Sequence, residues 1–326
     1  MFYNSGIPKG RGPFGGCPEG SALWRASPAF SLIHKTEDFM FEMKTSDGVV
    51  FFTSDILGVK HAFSTRIGGV STLPHTAELN VSYTSGGDAG ADSADIVTEN
   101  RRRLAAACGI MPPYAAGDYI FTLATKQLHS DIIEYITPDN AANDFYCDGF
   151  VTDSPLVTVA VKTADCVPIL LADAGAGIVS AIHAGWRGTA AGIAALAVEK
   201  MLRYGAKLHH IKAAIGPAIG TCCYTVAPDF KETFIKMMLK SRSEVTRASS
   251  EKAAEFFTVL NGTDRADLKA INRLILESSG IKSENIDICS LCTYCSPDLF
   301  YSHRRQGASF GVMGAIITPN PIDSDI

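Results

Sequence analysis

The sequence predicts a single α/β domain, and three observations lead there. Short runs rich in Val and Ile, bounded by Gly, Pro or polar clusters, read as buried strands. Between them, apolar residues recur at helical spacing and stop at a glycine. No internal repeat and no clear linker interrupts the chain between residues 45 and 318. The expected organisation is a flexible Gly/Pro-rich extension over 1–45, one catalytic domain over 46–319 and a tail over 320–326.

In chain order, Val49–Phe52 and Lys60–Ser64 are strand-like, and the second breaks into an Arg-bearing double-glycine turn at Arg66–Gly69. Residues 92–108 read as a helix capped by Asp92 or Ser93 and stopped by Gly109. Tyr119–Ala124 is a strand leading to Gln127-Leu-His129, and Cys147-Asp-Gly is a turn entering another. Val157–Val161 and Ile178–Ile182 are the two clearest buried strands. One leads to Thr163, Asp165 and Cys166, the other to His183, Gly185, Trp186 and Arg187. A helix is expected over Thr189–Tyr204, a strand over Ile211–Ile215, and helices over Pro228–Lys240 and Leu268–Ser279.

Composition narrows the function. Hydrophobic residues make up 46% and charged ones 19%, enough apolar content for a large core. A net charge of −5 gives no reason to expect a nucleic-acid or membrane partner. No apolar run of about 20 residues and no secretory leader is seen, so a cytoplasmic location is expected. In a reducing compartment the nine cysteines are expected to be buried, reactive or metal-bound rather than disulfide-linked.

The chemistry gathers at strand ends, where open α/β sheets commonly bind ligands. His129, Cys166 and His183 each lie at or just beyond a strand end, far apart in sequence, so any shared site is assembled by the sheets. Two imidazoles and a thiolate suit an open zinc site, and the same set can hold copper. Alternatively, Cys166 is a nucleophile with His183 or His129 as its base. Arg66, Arg187, Arg304 and Arg305 form a candidate guanidinium set for phosphate or carboxylate. Asp165 is a candidate proton carrier. Cys289, Cys292 and Cys295 could make a metal site only with a fourth ligand, from Cys222, Cys223 or His303.

The chain carries, in order, Phe63-Ser-Thr-Arg-Ile-Gly-Gly-Val-Ser71, Glu99-Asn-Arg101, Gln127-Leu-His129, Asp148-Gly-Phe-Val-Thr152, Thr163-Ala-Asp-Cys-Val-Pro168, His183-Ala-Gly-Trp-Arg-Gly188, Ile215-Gly-Pro-Ala-Ile-Gly220 and Ser302-His-Arg-Arg305. In these motifs it resembles the YfiH-like family, also labelled the multicopper polyphenol oxidase laccase family, over residues 49 to 318. The resemblance implies an α+β fold: a four-layer α-β-β-α sandwich with two central mixed sheets, similar to the catalytic domain of cytotoxic necrotizing factor toxins. It implies a zinc-dependent purine nucleoside phosphorylase, acting with phosphate on adenosine, inosine, guanosine and methylthioadenosine, that also deaminates adenosine. Carried over, the metal ligands and catalytic groups fall on His129, Cys166 and His183, with Zn²⁺ expected and Cu²⁺ the alternative. The family's arginine positions fall on Arg66 and on Arg304 or Arg305.

Two departures stand out: Ser130 follows His129 where the family often has glycine, and Val312 follows Gly311 where it often has arginine. A four-copper oxidase needs many paired histidines, and only His209 and His210 of the eight are adjacent. Competing readings are a cysteine hydrolase on a cell-wall precursor amide, a copper-dependent polyphenol oxidase and a non-catalytic sensor.

Overall fold

The computed structural model describes residues 41–83, 89–110 and 120–320. The N-terminal extension up to residue 40 and the tail from residue 321 lie outside the described residues.

One sheet contains β1 (Phe41–Ser46), β2 (Val49–Ser54), β3 (His61–Ser64), β4 (Ile120–Leu123), β7 (Val157–Thr163) and β14 (Met313–Ile317), in the order β1-β2-β3-β14-β7-β4. The other contains β5 (Ile133–Ile136), β6 (Gly149–Thr152), β8 (Val167–Asp173), β9 (Ile178–Ala184), β10 (Lys212–Ile215) and β13 (Ile286–Ile288), in the order β13-β10-β8-β9-β6-β5. Both are mixed: β4–β7, β5–β6 and β10–β13 are parallel, and the remaining pairs are antiparallel. A separate hairpin joins β11 (Phe257–Leu260) to β12 (Thr263–Ala266).

Side-chain alternation sets the layers. Val157, Val159 and Val161 of β7 meet Leu170 and Ala172 of β8 and Val179 and Ala181 of β9, so the central core lies between the sheets. The opposite faces of β8 and β9, through Val167, Ile169, Leu171, Ile178 and Ile182, pack on helices α2 (Trp186–Ala191), α3 (Ile193–Arg203), α4 (Phe230–Met238) and α5 (Leu268–Ser278). The outer face of the first sheet, including Val49, Ala62, Ala160 and Ile316, packs on Leu104 and Ala105 of helix α1 (Ala94–Ala107). The result is the expected α+β sandwich of four layers. Strands covered on both faces need no polar alternation, which is why β7, β8 and β9 read as nearly continuous apolar runs. Among the described residues no helix is long and apolar enough to cross a membrane.

The structure departs from the sequence reading at three points. The extension does not run to residue 45, because β1 begins at Phe41 and pairs antiparallel with β2 through an Asp47-Gly48 turn. Both turn residues have positive φ, 48° and 80°, as a tight primed turn requires. Second, β8 is a fully buried strand that Pro168 conceals in sequence. Third, the helix expected over Thr189–Tyr204 starts earlier, at Trp186, and breaks at Gly192, whose φ is 88°.

A Cβ at Gly192 would lie 2.3 Å from Thr246 Oγ1 and 2.8 Å from Ser241 Oγ. Positive φ and a blocked approach both oppose a side chain. Gly192→Ala is expected to destabilise the protein by about 2–4 kcal/mol. A lowered denaturant midpoint with an unchanged m-value is the readout; an unshifted midpoint would refute it.

Candidate metal centre

The sandwich brings together three side chains from three places in the sequence. His183 is on β9, at the alternation that faces the interior with Val179 and Ala181. Cys166 is in the short connection between β7 and β8. His129 is in the loop between β4 and β5. Their ligand atoms all lie within 4.8 Å of one another. Cys166 Sγ is 3.9 Å from His129 Nε2, and the two imidazoles meet edge to face at 4.9 Å.

Asp148, just before β6, organises two of the three. Its fully buried carboxylate accepts hydrogen bonds from the backbone N–H groups of Leu128, His129 and Ser130 at 3.0, 2.9 and 2.7 Å, and from Ser130 Oγ at 2.6 Å. It also bonds His183 Nδ1 at 2.9 Å. A proton on Nδ1 leaves Nε2 as the acceptor nitrogen, the tautomer a metal or a thiol needs. Ser130, the departure from the family pattern, thus gives Asp148 one further donor.

Charge follows this geometry. Burial pushes the Asp148 carboxyl up, but the bonds from His183 and Ser130 outweigh it and hold the carboxyl at about 2. The folded value lies below the ordinary 3.8, so the contribution to stability is complete above that value and is lost as pH falls toward 2. Acid titration is expected to remove about 2 kcal/mol in this window, checked by denaturant midpoints across it in wild type and Asp148→Asn. A wild-type midpoint that falls no faster than the variant's would refute this. Burial likewise pushes the Cys166 thiol up, yet the charge of His183 and hydrogen bonds from His129 and His183 bring it down to about 6. His183, pulled down by burial, is raised to about 9 by Cys166 and Asp148.

The backbone around the centre is constrained. His129 and Asp165 have φ of 58° and 96°, uncommon for residues with a side chain. Both oxygens of Asp165 are engaged, by Thr293 Oγ1 at 2.6 Å and by Arg304 N at 2.7 Å. Its carbonyl accepts from Ile219 N at 2.9 Å. Asp165 therefore fits a positioning role rather than proton transfer.

The arginines divide into two pairs. Arg66 donates to the carbonyls of Ala77 and Pro297 and lies over the Tyr301 ring. Arg305 donates to the carbonyls of Thr293, Tyr294 and Phe300. Both guanidiniums hold loops. Arg187 and Arg304 are exposed and end an aromatic row: Arg187 lies 4.3 Å from the Trp186 ring, Trp186 meets Phe230, Phe230 meets Tyr224, and Arg304 lies 5.2 Å from the Tyr224 ring. Arg304 also donates to Thr225. Burial and the negative charge of Cys166 push the Tyr224 hydroxyl up, while Arg304 and Arg187 oppose them, so Tyr224 is within electrostatic reach of Cys166 and both arginines. Sequence reasoning missed Tyr224, which sits in a loop with no pattern of its own. Asp148 shows in sequence as part of a turn and of the Asp148-Gly-Phe-Val-Thr152 motif, with no role attached to it.

A family model described as "Multi-copper polyphenol oxidoreductase laccase" matches residues 60–320. The chain belongs to this family. It is 35% identical over 273 residues to a purine nucleoside phosphorylase of Deinococcus radiodurans, covering 84% of this chain and 94% of that protein. It is 32% identical over 280 residues to adenosine deaminase RL5 of an unknown prokaryotic organism, covering 83% and 97%. The solved structure of YlmD from Geobacillus stearothermophilus superposes with a TM-score of 0.71 at 31% identity, covering 86% of this chain and 99% of that one. On these grounds the protein is an enzyme with the YlmD fold.

Metal binding can be weighed on the donor set. Two imidazoles and a low-lying thiol at mutual reach, with a carboxylate behind one imidazole, match a three-ligand open metal site. Among the described residues one other group of His, Cys, Asp or Glu is as close-set, and it contains only cysteines. Neither resembles the paired-histidine cluster of a four-copper oxidase. Asp148→Asn, which keeps shape but weakens the hold on His183, is expected to lower metal affinity by about 10–100-fold. Competition with a chromophoric chelator measures this, and wild-type affinity in the variant would refute it.

Proposed function

We propose that the protein is a zinc-dependent purine nucleoside phosphorylase that also deaminates adenosine. The observation that carries this reading is the His129–Cys166–His183 constellation, backed by Asp148 and flanked by an aromatic wall with an arginine at each end. Relatives named purine nucleoside phosphorylase and adenosine deaminase support the substrate class. The nucleosides assigned are adenosine, inosine, guanosine and methylthioadenosine.

His129 Nε2, Cys166 Sγ and His183 Nε2 would hold the metal, and zinc suits two nitrogens with one thiolate. When bound, it supplies Lewis-acid polarisation next to the substrate. The protein's own groups do the rest. Asp148 keeps the proton on His183 Nδ1 and fixes the ring. Trp186 and Tyr224 offer apolar faces against which a purine can lie. Arg187 and Arg304 bind phosphate through guanidinium donors. Held there, phosphate needs no further ordering to attack the anomeric carbon as the base leaves.

The test is phosphate-dependent release of base from inosine and adenosine by protein of known metal content. Activity is expected to fall with chelation and return with Zn²⁺. Phosphorolysis that survives complete removal of metal would sink the metal-dependent reading.

One observation favours a second reading. The thiol of Cys166, held at about 6 beside His183 and Asp148, has the arrangement of a Cys–His–Asp nucleophile system. On that reading the enzyme is a cysteine hydrolase acting on an amide. Trapping of an acyl group on Cys166 in metal-free protein would favour it. On the hydrolase reading His129 only helps to hold the Cys166 thiol low, whereas the metal reading uses all three side chains as ligands.

A further inference from the structure

Away from the triad, four sulfurs meet where the exits of two neighbouring parallel strands come together. Cys222 and Cys223 lie in the turn after β10, and Cys292 and Cys295 in the turn after β13. The two segments are joined by a parallel bridge between Ala218 and Cys292. All four Sγ atoms lie within 4.8 Å of one another. Cys295 Sγ is 3.5 Å from that of Cys222 and 3.3 Å from that of Cys223. Cys295 is disulfide-bonded in this structure, against the sequence expectation, and these separations, well beyond an S–S bond of about 2.05 Å, show that the bond is not to Cys222 or Cys223. They are close to the edge of about 3.8 Å that follows from a tetrahedron with metal–sulfur bonds of about 2.3 Å. Sulfurs this close surround one ion and leave no room for an iron–sulfur cluster between them.

We propose that Cys222, Cys223 and Cys292, with Cys295 once a thiol or phosphine reductant has cleaved its disulfide to two thiols, bind a structural zinc ion distinct from the His129–Cys166–His183 centre. Two further features fit a thiolate site. Gly220 N–H donates to Cys292 Sγ at 3.2 Å, and the backbone amides of Tyr294 and Cys295 turn toward the same sulfur. Amides aimed at a sulfur stabilise its anion. Gly220 suits this approach, since a Cβ there would lie 3.3 Å from both Cys222 Sγ and Cys292 Cβ. The second feature is Arg265. It donates to the carbonyl of Cys222, and its Nε is buried without a hydrogen-bond partner. A guanidinium there offsets the net negative charge that four thiolates retain around a divalent ion.

The site clamps loops that reach the other centre. Between the two cysteines of the second turn, Thr293 bonds the carboxylate of Asp165, the neighbour of Cys166. Arg305 bonds the carbonyls of Thr293 and Tyr294. Thr225, two residues after Cys223, accepts from Arg304. A closed four-sulfur site has no open position for substrate, so its role is to fix these loops.

The test is elemental analysis of the full chain purified under a phosphine reductant. Wild type is expected to carry two equivalents of zinc, and Cys166→Ala and Cys292→Ser one each. One equivalent in wild type, iron in place of the second zinc, or undiminished zinc in Cys292→Ser overturns the assignment. Should Cys292→Ser fail to fold, the Cys166→Ala protein provides an independent reading, because it has lost the triad's thiolate. Loaded with Co²⁺ under reduction, it is expected to show intense sulfur-to-cobalt charge-transfer absorption and tetrahedral ligand-field bands. Absence of the charge-transfer band overturns the proposal.

Discussion

Cys166→Ala is expected to empty the triad of metal and to lower phosphate-dependent release of base from inosine and adenosine by about 10³-fold or more. Two imidazoles remain in the variant, and neither supplies the negative charge that a thiolate brings to a divalent ion. Cys166 is partly buried in a tight connection, and its carbonyl accepts from Thr163 Oγ1. Lewis-acid stabilisation of several kcal/mol goes with the metal, and each 1.36 kcal/mol is tenfold in rate. The fold is expected to survive, since the removed group is one sulfur at the edge of the site. A Cys166→Ala protein that keeps both the triad's metal and its activity would defeat the assignment. If the variant loses activity, but wild type stripped of metal does not, Cys166 acts without a metal and the metal-dependent reading fails.

The sequence made the fold legible where the elements are long and their surroundings simple. Val157–Val161 and Ile178–Ile182 could be read as strands because both faces are covered and every residue is apolar. Pro168 hid the equally buried strand between them. Its missing N–H costs little, because Pro168 is the second residue of β8, and its carbonyl accepts from Gly216 N at 2.9 Å. Helix 189–204 could be read in outline but not its break, since only the nearness of Thr246 and Ser241 makes the left-handed turn at Gly192 necessary.

The site was legible in part for a different reason. His129, Cys166 and His183 stood out because a core strand has no use for polar residues at its end. Their convergence depends on the pairing of β8 with β9 and on the loop that Asp148 holds, neither of which sequence spacing encodes. Arginines reveal charge but not partner. Arg66 and Arg305 look like ligand-binding residues until the carbonyls of Ala77, Pro297, Thr293 and Tyr294 are seen to occupy them. The four-cysteine group was half visible: Cys292-x-x-Cys295 resembles a metal knuckle, but its partners lie some 70 residues earlier and meet it only through the parallel strands β10 and β13.

Gly185→Ala probes the centre without replacing any proposed ligand. Gly185 has φ of −64° and ψ of 169°, a conformation open to alanine, so the backbone carries no penalty. The obstacle is space. A Cβ at this position would lie 2.7 Å from His129 Cδ2 and 3.2 Å from Cys166 Sγ. The thiol can give by a few tenths of an ångström; the imidazole has less freedom, because Asp148 holds the backbone of residues 128–130 and φ of His129 is already 58°. The ring must therefore move by something near 1 Å, and displacement of that size in a catalytic group costs about 10²-fold in rate. Global stability should change little, because neither backbone nor core is strained. The expected result is a variant with near-normal unfolding midpoint, weakened metal binding and turnover lowered about 10²-fold. Wild-type activity in Gly185→Ala would mean that the His129 ring can leave its place beside Cys166 without consequence, and His129 would then have to be removed from the metal-binding set.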